Sequence, residues 1–369
     1  MEKIILGFEN WSSRKMKDCR IRSCRNMLWN NKIHLSSGIL LILGRGVGIE
    51  FMPFKLKEDS NLILWSLTGS NVDMQKELFQ SLYIRQEEIE VTNDKDGVDR
   101  IIRCVNRNAP VVISFNASYL ASFDEQKKHM ITAYSVAPLV GYNMEKRLFY
   151  LDFYRELIGE SAGLYAVPMD KLLMAIEAHC VPYSTSKMCF TLQMDDGIET
   201  WISAHIKELV IDGLQDICKK MLYPCNPEMN GISGLQCFVQ TLEIFLGEIE
   251  RSGMSSEKIN RILNLKIKYL HSSLTAGSVS FHRIEFGQAL KEVSGWFSWS
   301  ELESLGEDFL RHGKQWEKFC NNIKHIPEHS QIQSEQIAYT VLELKKLVEA
   351  ERNLFCALES SMKHAYIYV

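Results

Sequence analysis

At 369 residues the chain exceeds the roughly 250–300 residues at which a single core stops growing, so two domains are expected. A net charge of −4, with 46% hydrophobic and 24% charged residues, is an ordinary globular composition and lacks the basic footprint of a nucleic-acid binder. Ten cysteines without CxxC or zinc spacing, no apolar signal-peptide core, and a longest apolar run of only residues 39–43 predict a reduced, cytoplasmic protein with no metal site and no membrane span.

In chain order, residues 21–29 suit a helix ending in Met27, Leu28 and Trp29. Ser36 and Ser37 can cap a second, apolar helix over 38–43, which Gly44 ends. The run Gly44-Arg45-Gly46-Val47-Gly48 has the look of a phosphate loop. It fits neither GxGxxG nor GK[ST], and the reading preferred here is a tight turn into a strand over 49–54. Residues 61–67 read as a strand, and 98–105 carry helical spacing at Val98, Ile101, Ile102 and Val105. Three β-branched-rich runs follow, at 110–115, 136–142 and 147–153. Residues 143–146 suit a hairpin loop between the last two, and Pro138 requires a bulge or an edge. A helix over 169–178 and a strand over 188–192 complete this half.

From about Asp195 helical periodicity takes over. Helices are expected at 201–221, 234–252, 256–273, 286–293, 301–323 and 337–361. The last carries a core-facing stripe of Ile337, Val341, Leu344, Val348, Phe355 and Leu358. The order predicts an α+β domain over 1–194 and a mostly α-helical domain over 195–369. The long apolar helices are compatible with a homodimer.

Among candidate chemical groups, Cys19 has Lys15, Lys17, Arg20 and Arg22 nearby in sequence and a helix after it, two conditions that favour a thiolate. The alternative is a buried free cysteine, which is the reading given to Cys24. His129, in the polar run DEQKKHM, can reach a site at strand ends or be a solvated loop residue, and the same holds for His34. Asp152 stands inside the apolar run FYLDFY, where a carboxylate needs a partner: it is either an orienting group or a structural acceptor.

These pieces occur in a telling order: a Cys followed by RNML, then LSSG and LGRGVGIEF, then PVVISFNASYL, then VAPLVGYN and LFYLDFY. The order resembles the N-terminal domain of the butirosin biosynthesis protein H family. In the second half, Asn230-Gly231-Ile232-Ser233-Gly234-Leu235, the stretch TAGSVSFHRIEFGQAL and Trp316 resemble the helical domain that accompanies it. The resemblance implies a papain-like, cysteine-peptidase-like fold with a central antiparallel sheet, reused for acyl transfer. Cys19 would take an (amino)acyl group from the phosphopantetheine thioester of an acyl or peptidyl carrier protein and pass it to a small-molecule amine. No cofactor is bound by the chain itself.

Three places depart from the family pattern. Tyr134-Ser135 stand where the catalytic histidine belongs, Asp18 precedes the cysteine where the family often has His, and Asn116 stands where an acidic residue is common. The expected site is therefore Cys19, His129 and Asp152 as catalytic groups, with Tyr134, Ser135 and Asn116 facing the substrate. Three explanations of the departure stay open: His129 serves from the adjacent loop, the substrate supplies the base, or catalysis has been lost. The competing functions are an accessory protein that binds a carrier protein or biosynthetic enzyme, and a cysteine hydrolase with water as acceptor.

Overall fold

A computed structural model describes residues 1–5, 18–55, 62–71, 73–91, 95–120, 134–153, 163–178, 189–251, 256–275, 278, 280–325 and 334–363. The elements, in chain order, are β1 (Glu2–Ile4), α1 (Cys19–Asn30), α2 (Ser37–Leu43), β2 (Val47–Lys55), β3 (Ile63–Ser70), α3 (Met74–Ser81), β4 (Arg85–Glu88) and α4 (Lys95–Asn106). They continue with β5 (Val111–Asn116), β6 (Tyr134–Asn143), β7 (Leu148–Phe153), β8 (Gly163–Pro168), α5 (Met169–Glu177) and β9 (Cys189–Gln193). Six helices close the chain: α6 (Ile198–Leu222), α7 (Gly231–Arg251), α8 (Ser256–Thr275), α9 (Arg283–Phe297), α10 (Ser300–His325) and α11 (Ser334–Met362). Among the described residues no helix is long and apolar enough to cross a membrane.

The chain divides into two compact units, Met1–Leu40 with Phe79–Ala204, and Leu41–Leu78 with His205–Val369. The first holds a seven-stranded sheet in the order β4-β9-β5-β6-β7-β8, with β1 added beside β6. Every pairing in it is antiparallel, as the α+β reading expects. Strand β6 is central because its runs are apolar on both faces. It pairs with β7 along one side, and with β5 and then β1 along the other. Gly141 permits the last step, since a Cβ there would lie 2.7 Å from the Lys3 carbonyl oxygen. Pro138, which has no N–H to donate, sits where pairing with β7 stops, beside a register shift between Leu139 and Gly141. Helix α1 packs on β6, and α5 packs on β5, β7 and β8.

The second unit contains a β2–β3 hairpin against which α7 and α8 pack. Its aromatic contacts are Phe51 with Phe238 at 5.2 Å and Trp65 with Phe245 at 5.0 Å. The Phe51 N–H donates to the Met229 carbonyl at 2.7 Å. Gly69 of β3 leaves the space that Phe281 fills: a Cβ would lie 2.0 Å from that ring. The expected division into 1–194 and 195–369 put this hairpin in the first domain. Its packing groups it with the helices instead, because its large apolar side chains meet α7.

The glycine-rich run is a turn, as read from the sequence. The Arg45 N–H donates to Ile42 O at 3.0 Å and the Gly46 N–H to Leu41 O at 2.8 Å. Those amides close the end of α2 and are spent before any phosphate could use them.

Candidate functional site

The first turn of α1 is built by Asp18. Its carboxylate Oδ1 accepts the N–H of Arg20 at 2.8 Å and of Ile21 at 3.2 Å, an N-cap. Its other oxygen receives Arg20 Nη2 at 3.0 Å. Cys19 is therefore the first helical residue, which is where a helix dipole favours an anion. The local balance runs the other way. Burial, and then the Asp18 carboxylate, push the Cys19 thiol up. Arg22, a hydrogen bond from the Val136 backbone and Arg20 pull it down, without prevailing.

Helical periodicity carries Cys19, Arg22, Ser23 and Asn26 to one side of α1. Ser23 Oγ donates to the Val136 carbonyl at 3.2 Å. Since Val136 also holds the thiol, α1 grips β6 just after Tyr134-Ser135. Further along, Asn26 Nδ2 donates to Asp152 Oδ2 on β7 in a short hydrogen bond. Arg25 Nε and Nη2 both donate to Asn26 Oδ1 at 3.3 Å. Burial raises Asp152 above the usual carboxylate range, against the opposing pull of Asn26, Arg22 and Arg25.

Cys19 and Asp152 are thus on one side of the sheet without being neighbours. Asn26 lies seven residues beyond Cys19, about 10 Å along the axis at 1.5 Å per residue. A carboxylate held at Asn26 is therefore too far along the helix to take the Cys19 proton directly. Arg22, buried and one turn from each end, is the cation that acts on both.

The strand register sorts the remaining expected residues. Phe115 is paired with Ser135, and the Phe115 ring lies 5.5 Å from that of Phe153. Phe153 is next to Asp152 and points to the opposite face. Ser135 is therefore buried on the Phe115–Phe153 face, opposite Asp152. Tyr134 is the first residue of β6, paired with Asn116 at the end of β5, so both positions lie at the strand ends nearest the gripped Val136. His129 lies outside the described residues. Cys24 is fully buried in α1, as expected of a packing residue. His34 is exposed and meets the Trp29 ring at 5.7 Å, at the far end of the helix from Cys19. Among the described residues no group of His, Cys, Asp or Glu could hold a metal ion.

Asn26 and Arg22 had not been singled out as site residues. The signal is in their spacing: polar side chains at positions three and seven after Cys19, within the stretch Ile21–Leu28 that is buried throughout.

A search of curated proteins finds no match to the chain. The family model described as butirosin biosynthesis protein H, N-terminal, matches residues 18–152, from the cap of α1 to Asp152, and so supports over that segment the family resemblance carried by the sequence.

Proposed function

We propose that the protein acts in butirosin-type antibiotic or peptide secondary metabolism, as a cytoplasmic acyltransferase with Cys19 as nucleophile. The observation that carries this reading is the position of Cys19. It is the first residue of a capped helix, its thiol is against the start of β6, and the segment around it matches the family model.

In the proposed reaction the Cys19 S–H gives its proton to a base and the sulfur attacks the thioester carbonyl of a carrier protein's phosphopantetheine arm. The carbon–sulfur bond to the arm breaks, and the arm leaves as a thiol. An amine then attacks the acyl-cysteine and Cys19 leaves. His129 is proposed as the base and Asp152 as the carboxylate that orients it, since Asp152 stands too far along the helix from Cys19 to act on its proton directly. The Cys19 N–H is the first-turn donor that the Asp18 side chain does not take, and it can meet the developing oxyanion.

The test is intact-mass spectrometry after incubation with an aminoacyl carrier-protein thioester. The expected result is one acyl adduct on the wild type and none on Cys19→Ala. Absence of the adduct in both, or its persistence in Cys19→Ala, overturns the reading. An adduct released without added amine identifies a hydrolase. A second reading, an accessory protein that binds a carrier protein without turnover, is favoured by one feature: the resting thiol is pushed up. Carrier binding without any adduct is its expected outcome.

A further inference from the structure

An asparagine amide has the same shape whichever way round it lies, so only its neighbours fix which end is the donor. Both neighbours of Asn26 vote alike. Arg25 has donors and no acceptor, and its Nε and Nη2 each reach Asn26 Oδ1 at 3.3 Å. An ionised carboxylate is acceptor only, and Asp152 Oδ2 receives Nδ2. The guanidinium of Arg25 is itself held over the Trp29 ring, 5.0 Å from its centroid. Arg25, Asn26 and Asp152 are all buried. The hydrogen bonds therefore run one way, from Arg25 through Asn26 to Asp152. The helix does not need them, because Asp18 caps it and Met27, Leu28 and Ile21 bury its apolar surface.

We propose that Asn26 is a positioning residue for Asp152: locked by Arg25 with its amide nitrogen toward β7, it occupies Oδ2 and leaves the carboxyl group in one orientation and one charge state. Its use in catalysis rests on the reading of Asp152 as the orienting carboxylate of the Cys19 site. The relay explains how a carboxylate raised by burial can still be kept as an acceptor. It also gives a reason for the Arg25-Asn26 pair within the RNML run: one residue holds the carboxylate and the other holds that residue.

The experiment is a pH titration of the full chain labelled with carbon-13 at the aspartate carboxyl carbons, with the Asp152 signal assigned by its loss in Asp152→Asn. Asn26→Leu, close in volume, removes the donor. The Asp152 midpoint is expected to rise by about one pH unit or more, the size a hydrogen bond to a charged group carries. Arg25→Lys keeps the positive charge that itself pulls Asp152 down but loses the paired Nε and Nη2 donors, so the amide's orientation is freed and a smaller rise is expected. An unmoved or lowered midpoint in both variants overturns the proposal, since a purely structural Asn26 would change stability and leave the titration alone. Should Asn26→Leu not fold, Asn26→Ala, which also removes the donor and leaves Arg25 in place, decides the matter. Acyl adducts measured in parallel separate the two readings. A shifted Asp152 without acyl-Cys19 keeps the relay and removes the transferase, and acyl-Cys19 with an unmoved Asp152 does the reverse.

Discussion

Asp152 in the sheet unit and Glu351 in the helical unit are both buried carboxylates among cations, and the two are driven in opposite directions. In the helical unit, Glu351 is fully buried. Its Oε1 accepts Arg283 Nε at 2.7 Å, and its Oε2 meets His312 Nε2 at 2.5 Å and Trp316 Nε1 at 3.2 Å. Burial opposes its ionisation, but Arg283 and His312 hold it down at about 2. In the sheet unit, Asp152 has, among the described residues, one short bond from Asn26 and more distant cations, and burial wins. A carboxylate closed on all sides by its own partners has no capacity left for a ligand or a moving proton. One that is raised, and fastened at a single oxygen, does. The contrast fits a structural role for Glu351 and supports the orienting role proposed for Asp152.

The largest effect that sharpens this contrast comes from Glu351→Gln. It leaves the Arg283 guanidinium buried without its counter-charge, and breaking a buried pair from one side costs roughly 3–5 kcal/mol. A drop of that size in unfolding free energy is expected from urea titration, and a loss under about 1 kcal/mol would contradict the structural role. The pH dependence has a definite sign. The folded Glu351 titrates below its ordinary value of 4.5, near 2. Its contribution is present above pH 4.5 and is lost as pH falls from there toward 2.

Asp152→Asn is expected to behave in the opposite way. The amide oxygen of the new side chain can still accept from Asn26 Nδ2, and no buried charge remains. Stability should change by about 1 kcal/mol or less. Since the folded Asp152 titrates above its ordinary value, its contribution is complete at low pH and fades as pH rises through the raised value. The variant should flatten that part of the stability profile while abolishing acyl transfer. A large loss of stability with activity intact would put Asp152 in the same class as Glu351.

Much of the architecture was legible because periodicity is local. The stripe from Val341 to Leu358 places α11 without reference to any other element. Four short elements were not read. Strand β4, RQEE, is a polar edge strand without apolar alternation. Strand β8 pairs, among the described residues, only with β7 and ends at Pro168, β1 has three residues, and α3 is only eight residues long. The grouping of residues 41–78 with the helices was also hidden, since an apolar strand does not state which layer it meets. The site shows the same limit. Cys19 and Asp152 stand out as residues, but the role of Asn26 comes from a partner 126 positions away. Ser135 shows it too: the face of the sheet it takes follows from its pairing with Phe115, twenty residues away.

The smallest expected effect tests whether the resting thiol is restrained by its own cap. Asp18 does two things at once. It satisfies the Arg20 and Ile21 amides, and its charge is the second largest influence raising Cys19, after burial. Asp18→Ala should therefore cost about 1 kcal/mol of stability, as the loss of an N-cap does, and still make Cys19 more reactive. Arg20 and Arg22 remain to pull the thiol down. Iodoacetamide labelling of Cys19 at pH 8, read by peptide mass spectrometry, should quicken by a factor of about three to ten, the gain in thiolate for a fall of half to one pH unit. Asp18→Ser keeps a capping oxygen without the charge, so it should show the faster labelling with little loss of stability. Equal labelling rates in all three proteins would mean that burial alone sets the thiol. The comparison of the two units would then rest on Asp152 and Glu351, with no part played by the cap.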